Sequence, residues 1–352
     1  MNNEALLPAS FDAPVAIDEA LIDVARRAMS PNSWRALRAD LRVFGAWTTE
    51  RGRLTLLAAP ETVASFLRDQ AEHGKKAATL SRYASSIARI HSLADLPDPT
   101  RAELVRLELK AQRRALGVRQ SQARGLRFRG EVADPVLAAG PVGVCVEAML
   151  AAAPGTLQGK RDRALLSLAF DTGLRRSEIV ATRWAHVERG AAGGGRLFVP
   201  RSKADQEGSG AYAYLSARTM ASLGEWRTAS QFKEGPIFRR LHRSRTRDEK
   251  VIWTVGAGLS AQSVTLIYRA MLDAAAANDL LGMIDPVEFD AWRCGLTAHS
   301  TRIGLTQDLF ASGEDLAGIM QALRWKSPAQ PARYSQALAA EANAAARVVG
   351  KL

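Results

Sequence analysis

The sequence has few of the features that mark secreted, membrane-bound or zinc-binding proteins. Among its 352 residues are only two cysteines, Cys145 and Cys294, and they do not form a CxxC pair. This spacing indicates neither a disulfide framework nor a zinc site. No run of about eighteen apolar residues occurs, and the N-terminus lacks a basic stretch followed by an apolar one. We therefore expect a soluble protein of the reducing cytoplasm.

The positive charge of the chain is unevenly distributed along its length. The net charge is +12 and the pI is near 10.2. Residues 1–100 carry twelve Lys and Arg against twelve Asp and Glu, whereas residues 101–130 carry nine against two. Such a segment is either a solvated linker or a basic strap on a phosphate backbone, and we favour the strap.

The first part of the chain is predicted to be an all-helical domain, residues 17–116. Residues 1–16 contain two prolines and no hydrophobic period, which indicates a flexible tail. Apolar residues then recur at helical spacing, and capping signals divide them into five helices. These are residues 18–29, a helix capped by Ser33, residues 60–74, a helix from Thr79, and a helix opened by a Thr100–Glu103 capping box and closed near Gly117.

A second domain is predicted over residues 134–352, after a basic linker at residues 117–133 that has no apolar stripe. Residues 196–201 and 211–216 have a hydrophobic period of two and flank a polar loop, which predicts an antiparallel hairpin. The fold class is therefore mainly α with a small antiparallel β-sheet, an α+β domain following an all-helical one. Its predicted helices include residues 143–152, 161–170, 174–183, 217–231, 260–276 and 314–323.

The segment between His299 and Tyr334 carries the residues most suggestive of chemistry. His299 and Arg302 are three apart, so on a helix they face one side and could address one anionic group. Trp325 follows the apolar helix 314–323. The two prolines of KSPAQPAR are expected to forbid helix before Tyr334, which would place this tyrosine on a separate mobile element, as befits a nucleophile.

Three further polar residues extend this set, namely Arg175 and Glu178 in TGLRRSE and Lys203 in the predicted hairpin loop. No cluster of carboxylates accompanies them, so a two-metal nuclease is not indicated. Arginines can instead take up charge on a phosphate during phosphoryl transfer. A tyrosine could then attack phosphorus and retain the bond energy in a phosphate ester, while a flexible lysine protonates the leaving oxygen. We expect no metal, nucleotide or other cofactor.

These residues, with their local sequence, resemble the active site of tyrosine site-specific recombinases of the phage integrase family. The resemblance rests on the order HSTRIG, DLFASG, IMQA and W, and it extends to SWRALRADLRVFGAW, ATLSRYASSIARIH and RSKADQEGSGAYAYLS. It implies a two-domain clamp around duplex DNA, four protomers on two recombination sites, and strand exchange through a Holliday junction. The matching residues are Arg175, Glu178, Lys203, His299, Arg302, Trp325 and Tyr334.

The resemblance also implies a role for each matching residue. Arg175 and Arg302 would clamp the scissile phosphate, and Trp325 would donate its indole N–H to it. His299 would assist proton transfer and bind the same phosphate, and Lys203 would be the general acid. The remaining two would be Glu178, which orients its neighbours, and Tyr334, the nucleophile that forms a 3′-phosphotyrosine.

The sequence departs from the family pattern beside these residues. Arg176 stands where an apolar residue is common, Arg324 precedes Trp325 where glycine is usual, and Arg333 precedes the nucleophile. All three departures add positive charge near the predicted site.

The implied partner is double-stranded DNA with an inverted-repeat, lox-like target site, bound by a homotetramer that associates with the nucleoid. Residues Leu338 to Val349 are predicted to form an alanine-rich helix whose apolar stripe is too small for a core, and the resemblance implies that it docks into the neighbouring protomer. The helices near Thr79 and Ser260 would enter the major groove. The expected DNA contacts are Arg35, Arg82 and Gln262, with phosphate contacts from the linker residues Arg119, Arg124, Arg127 and Arg129.

Two alternatives remain open from the sequence. One is a catalytically silent helical DNA-binding protein, which the composition fits equally well. The other is an enzyme with the same chemistry and different biology, either a type IB topoisomerase or an integrase that needs accessory factors. Formation of a covalent protein–DNA adduct separates the first from the rest.

Overall fold

The computed structural model of the chain describes residues 18–117, 122–201, 209–245 and 251–342. The chain divides into two compact units, residues 1–121 and residues 122–352. Helices predominate in both, and two small antiparallel sheets lie in the second unit. The mainly helical fold class predicted from the sequence is therefore confirmed. None of the described helices is long and apolar enough to cross a membrane.

The first unit consists of helices that pack around a core of aromatic and aliphatic side chains. The Phe66 ring lies between those of Phe44, Trp47 and Tyr83, with centroid distances of 5.0, 5.5 and 5.4 Å. Such edge-on contacts fix ring orientation as well as burying area. The helices are α1 (Glu19–Ala28), α2 (Pro31–Glu50), α3 (Pro60–Glu72), α4 (Ala77–Leu93) and α5 (Glu103–Leu116).

Two predicted helix starts in this unit are wrong by a few residues. Ser30, not Ser33, caps α2, and its hydroxyl accepts a hydrogen bond from the Ser33 N–H at 3.1 Å. The Thr100–Glu103 capping box does not form, because Asp98 accepts bonds from the backbone N–H and the hydroxyl of Thr100. A short 3₁₀ turn at Pro99–Arg101 results, and α5 begins after it.

The second unit has its helices around one large core and its strands in two separate sheets. The strands are β1 (Val187–Arg189), β2 (Gly195–Val199), β3 (Ala211–Leu215), β4 (Arg239–Arg245) and β5 (Val251–Gly258). The helices are α6 (Val146–Ala151), α7 (Leu157–Thr172), α8 (Arg176–Ala181), α9 (Ala217–Ser230), α10 (Ala261–Ala277), α11 (Pro286–Gly295), α12 (Ser300–Ala311), α13 (Leu316–Leu323), α14 (Ala329–Tyr334) and α15 (Gln336–Ala342).

The predicted hairpin corresponds to β2 and β3, which pair antiparallel with Leu197 opposite Ala213. Strand β1 adds to its edge, with Val187 opposite Leu197, and was not predicted. Strands β4 and β5 form a second, two-stranded antiparallel sheet in which Arg243 lies opposite Trp253.

Residues 122–133 differ from the predicted linker, because they pack into the second unit. Leu126 is fully buried, and its N–H donates to the Ser300 carbonyl at 2.9 Å. The Leu126 carbonyl lies so close to Gly304 on α12 that a Cβ there would be 1.9 Å from its oxygen. Arg127 donates through Nε to Asp308 Oδ1 at 2.6 Å, with both side chains buried. The segment is therefore part of the second unit.

The segment before Tyr334 is helical, contrary to the prediction from its prolines. Helix α14 contains Pro331, and Tyr334 is its last residue. Pro331 is the third residue of α14, and an N–H in the first turn of a helix has no intrahelical acceptor, so the proline costs no hydrogen bond there. Contacts with α12 and α13 hold α14 in place.

Candidate active site

The N-terminal end of α12 carries His299, whose side chain is half-buried. His299 is the N-cap of α12, and its backbone N–H donates to the Thr297 hydroxyl at 3.1 Å. The preceding residue, Ala298, donates its N–H to the hydroxyl of Thr265 on α10 at 3.1 Å. These two bonds fix the backbone from which the imidazole projects.

The hydroxyl of Tyr334 lies 2.8 Å from Nε2 of His299. The two rings meet edge to face, with a centroid distance of 5.7 Å and an interplanar angle of 73°. The Tyr334 backbone is held from behind, because Gln307 on α12 donates its side-chain amide to the Tyr334 carbonyl at 3.2 Å. Helix α12 therefore carries the imidazole and also positions the phenol, 35 residues later in the chain.

Arg302 is the most deeply buried cation of the site, with 1% of its surface exposed. It donates through NH1 to the Gly173 carbonyl at 2.6 Å and through NH2 to the Leu323 carbonyl at 2.7 Å. Its Cζ lies 4.7 Å from the centroid of the Trp325 ring, which in turn lies 5.6 Å from the Tyr334 ring. Within the described residues its buried Nε has no hydrogen-bond partner, so a donor remains for a ligand.

Arg175 and Glu178 form a reciprocal contact at the start of α8. Glu178 accepts from the Arg175 backbone N–H at 3.0 Å and from its NH1 at 2.9 Å. The Glu178 side chain is 7% exposed and that of Arg175 is 27% exposed. Glu178 therefore holds the arginine from beneath and leaves part of the guanidinium accessible.

Burial and the arginines together set the charge state of the site. Burial, followed by the Arg302 and Arg175 guanidiniums, lowers the pKa of His299 to about 4. Burial raises the pKa of Tyr334, although the neighbouring arginines oppose this shift. Burial and nearby cations also lower the pKa of Arg302, to about 9. At neutral pH the imidazole is thus neutral, the phenol is protonated and the guanidinium is charged.

A cavity of about 280 Å³ opens beside these residues, and its wall includes Arg175, Thr265, Thr297 and His299. Because this wall carries a positive charge from Arg175 and a neutral imidazole from His299, the cavity suits an anionic group. Six of the seven residues singled out from the sequence therefore lie in one site, namely Arg175, Glu178, His299, Arg302, Trp325 and Tyr334. The seventh, Lys203, lies outside the described residues.

The expected DNA contacts have varied surroundings in the structure. Gln262 is exposed in the first turn of α10. Arg82 pairs with Asp40 at 2.5 Å, with 47% of its side chain exposed, and Arg35 donates to Asn32 at 3.0 Å. Arg119 lies outside the described residues.

The linker arginines require one correction. Arg127 is 5% exposed and paired with Asp308, so it is not available for a phosphate contact. Arg124 stacks on Trp292 with its Cζ 4.9 Å from the ring centroid. Arg129 donates to Glu147 at 3.1 Å and to the Ala138 carbonyl at 2.6 Å.

Two further features of this unit were not assigned from the sequence. The first is the exposed basic sheet of β4 and β5, whose signal is the alternation in RRLHRSR and VIWTV. The second is the position of Arg324, whose NH2 donates to the Thr172 carbonyl at 2.9 Å, next to the carbonyl that Arg302 holds. No sequence signal links Arg324 to Thr172, because the two residues are far apart in the chain.

Comparison with known proteins identifies relatives along most of the chain. The integrase/recombinase XerD homolog of Selenomonas ruminantium is 27% identical over 321 residues, covering 88% of this chain and 82% of the relative. Recombinase Cre of Escherichia phage P1 is 24% identical over 334 residues, covering 92% and 89%. A solved structure of XerH site-specific recombinase bound to palindromic difH substrate has a similar fold, with a TM-score of 0.54 at 16% identity and coverage of 92% and 83%.

Two family descriptions match the two units of the chain. The N-terminal SAM-like domain of phage integrases matches residues 21–94. The phage integrase family itself matches residues 145–341, which is more than half of the chain and contains all seven predicted active-site residues. The resemblance stated from the sequence is confirmed: the chain belongs to the phage integrase family and is a tyrosine recombinase.

Proposed function

We propose that this protein recombines duplex DNA at specific sites by cleaving each strand through a covalent 3′-phosphotyrosine at Tyr334. The observation that carries the proposal is the 2.8 Å contact between the Tyr334 hydroxyl and His299 within a cluster of arginines. The relatives support the choice of substrate, since one is the recombinase Cre and another is XerH bound to its difH substrate.

In the proposed cleavage step, Oη of Tyr334 attacks the scissile phosphorus as the bond from phosphorus to the 5′ oxygen breaks. The phenolic proton passes to Nε2 of His299, which is neutral at pH 7 and lies within hydrogen-bond distance. Lys203 gives a proton to the departing 5′ oxygen, which leaves as a hydroxyl. Reversal of the same step by a 5′ hydroxyl from another strand restores the DNA and releases Tyr334.

The arginines stabilise the pentacoordinate transition state. Arg175 presents a partly exposed guanidinium, and Arg302 has the unpartnered Nε described above. Both are held by bonds to the protein, so they need little reorganisation when charge develops on the phosphate oxygens. Trp325 lies over Arg302 and against Tyr334, and we propose that its indole N–H donates to the same phosphate. The phosphotyrosine conserves the energy of the broken bond, so neither ATP nor a metal is required.

Recombination needs two cleaved duplexes, and we propose a homotetramer on two inverted-repeat sites that exchanges strands through a Holliday junction. The helix expected over residues 338–349 would link neighbouring protomers. The structure describes its first part, α15, which contacts α12 of the same chain. On the DNA, Gln262 and Arg82 would read base edges, and Arg35, Arg124 and Arg129 would contact the backbone.

Trapping on a nicked duplex tests this function. Cleavage near the nick releases a short 5′-hydroxyl fragment that diffuses away, so the covalent adduct accumulates and shifts on a denaturing gel. The wild-type protein should form it in EDTA and without ATP. Tyr334→Phe should bind the duplex and form no adduct, whereas Tyr214→Phe, which alters an exposed tyrosine on β3, should form it normally.

Other outcomes of the trapping experiment would support one of the alternative functions. DNA binding without any adduct would indicate the catalytically silent protein, and an adduct in Tyr334→Phe would refute the assignment of the nucleophile. Relaxation of plasmids that lack a selected target site would indicate a topoisomerase. The target itself can be found by selecting cleaved sequences from a randomised palindromic library.

A further inference from the structure

Arg324 takes a backbone conformation that few residues other than glycine adopt. It follows α13 with φ of 55° and ψ of 47°, in the left-handed region. Its N–H and that of Trp325 donate back to Gln321 and Met320, so this residue ends α13 and turns the chain toward Trp325. A non-glycine residue persists in such a position when the surrounding structure over-determines it.

The Arg324 side chain is bound to another part of the site. Its NH2 donates to the carbonyl of Thr172, the last residue of α7, at 2.9 Å. Arg302 donates to the carbonyl of the next residue, Gly173, and also to that of Leu323, which immediately precedes Arg324. Two guanidiniums therefore hold two successive carbonyls, and the contacts close into a ring through α7, α12 and the end of α13.

The ring is tightly packed. Gly173 is itself left-handed, with φ of 54°, and a Cβ on it would lie 2.3 Å from Cδ2 of Leu323. The turn it forms leads to Arg175 two residues later, and the other side of the ring leads to Trp325. A shift of Arg324 would thus move Arg175 relative to Arg302 and Trp325.

We infer that Arg324 is a positioning residue of the active site, which sets the spacing between Arg175, Arg302 and Trp325 by binding the Thr172 carbonyl. The inference rests on the proposed cleavage reaction for its consequence and on the ring of contacts for its geometry. Its charge belongs to the same cluster, because burial lowers the pKa of Arg324 and Glu178 opposes that shift.

Substitution of Arg324 with glycine tests the contribution of the side chain separately from that of the left-handed backbone. In Arg324→Gly the left-handed turn carries no steric cost, so the turn can persist while the bond to Thr172 is lost. At saturating protein on nicked DNA, we expect adduct formation to slow by about 10- to 100-fold, because small displacements of catalytic groups cost that much. Noncovalent DNA affinity should stay within about twofold, and Arg324→Lys should give an intermediate rate.

A role in stability alone predicts a different result. Thermal unfolding identifies a temperature at which every variant is folded, and a rate in Arg324→Gly within about twofold of wild type there would overturn the inference. Arg189→Gln, which removes one charge from the exposed end of β1, is the matched control and should react normally.

Sulfate binding gives a readout that does not depend on cleavage. Sulfate should stabilise the wild-type fold by occupying the arginine site, measured against chloride at equal ionic strength. The half-saturating concentration should rise about tenfold or more in Arg324→Gly, and not in Arg189→Gln. If wild type forms no adduct, the proposed function fails, and the sulfate titration still decides whether Arg324 positions the arginines: equal titrations would refute it.

Discussion

His299 Nε2 and the Tyr334 hydroxyl lie 2.8 Å apart, and both groups are uncharged at neutral pH. In the Nδ1–H tautomer of the imidazole the phenol donates to Nε2, and the arginines beside the pair carry the positive charge of the site. A scissile phosphate bound beside these arginines would neutralise part of their positive charge. The pair is thus within proton-transfer distance, and a bound phosphate would change the charge balance around it.

His299 should make stability depend on pH between about 6.5 and about 4. Because its pKa is lowered from 6.5 to about 4 in the folded state, only the unfolded chain gains a proton in this interval. The free energy of unfolding should fall as the pH drops through it. His299→Gln should flatten this dependence, measured by urea unfolding at successive pH values.

Another buried histidine also contributes to this pH dependence of stability. Burial also lowers the pKa of His91 in the first unit, so part of the slope should remain in the variant. Equal slopes in wild type and His299→Gln would contradict the prediction.

DNA should raise the pKa of His299. The guanidiniums of Arg302 and Arg175 contribute to lowering it, and a phosphate anion between them offsets their charge. In Tyr334→Phe bound to uncleaved duplex, imidazole resonances should titrate at a higher pH than in the free variant. A duplex with a neutral methylphosphonate at the scissile position should give a smaller rise, and identical titrations for both duplexes would count against phosphate binding here.

Arg127 should be a structural residue and not a phosphate contact. Removing it in Arg127→Met leaves Asp308 buried without its partner, which costs about 3–5 kcal/mol of unfolding free energy. The double variant Arg127→Met with Asp308→Leu should recover much of this loss. The slope of log affinity against log salt should stay unchanged in Arg127→Met, whereas Arg124→Gln should reduce it by about one.

Gln262 should read a base. It is exposed at the start of α10, where a glutamine can bind adenine in the major groove, a contact worth about 1–3 kcal/mol of discrimination. Sites selected with Gln262→Ala should lose preference at one or two positions in each half-site. The positional profile is the measurement, and a profile identical to that of wild type would refute the assignment.

Deletion of residues 338–352 should separate DNA binding from assembly. Half-site binding in gel shifts should be nearly intact, because none of the expected DNA contacts lies in this segment. Cooperative pairing of half-sites and recombination should be lost, since the helix would link neighbouring protomers. Full recombination by the shortened protein would show that the helix packs within its own chain or has no role in assembly.

Sequence reasoning succeeded where periodicity or residue identity determines the structure. Apolar spacing located the long helices, and Arg175, His299 and Tyr334, which were chosen by their order in the sequence, lie close together in the structure. It failed where a neighbouring side chain forms a different hydrogen bond from the predicted one, as when Asp98 accepts from Thr100 and prevents the capping box. It also failed where a residue packs against a partner far away in the sequence. The burial of Leu126 depends on α12, nearly 180 residues later, and composition alone indicated a linker.

The close packing of the Leu126 carbonyl against Gly304, here called the seam, determines where this chain can be cut into two fragments. A catalytic fragment that begins at residue 134 would uncover apolar surface along α12 and leave the Asp308 carboxylate without its cation. A fragment that begins at residue 122 keeps the seam whole. If the protein is divided into two fragments that are rejoined by light or a ligand, the chain should therefore be cut before residue 122. The basic, non-periodic stretch of sequence continues beyond this point, so the sequence alone would suggest a later cut.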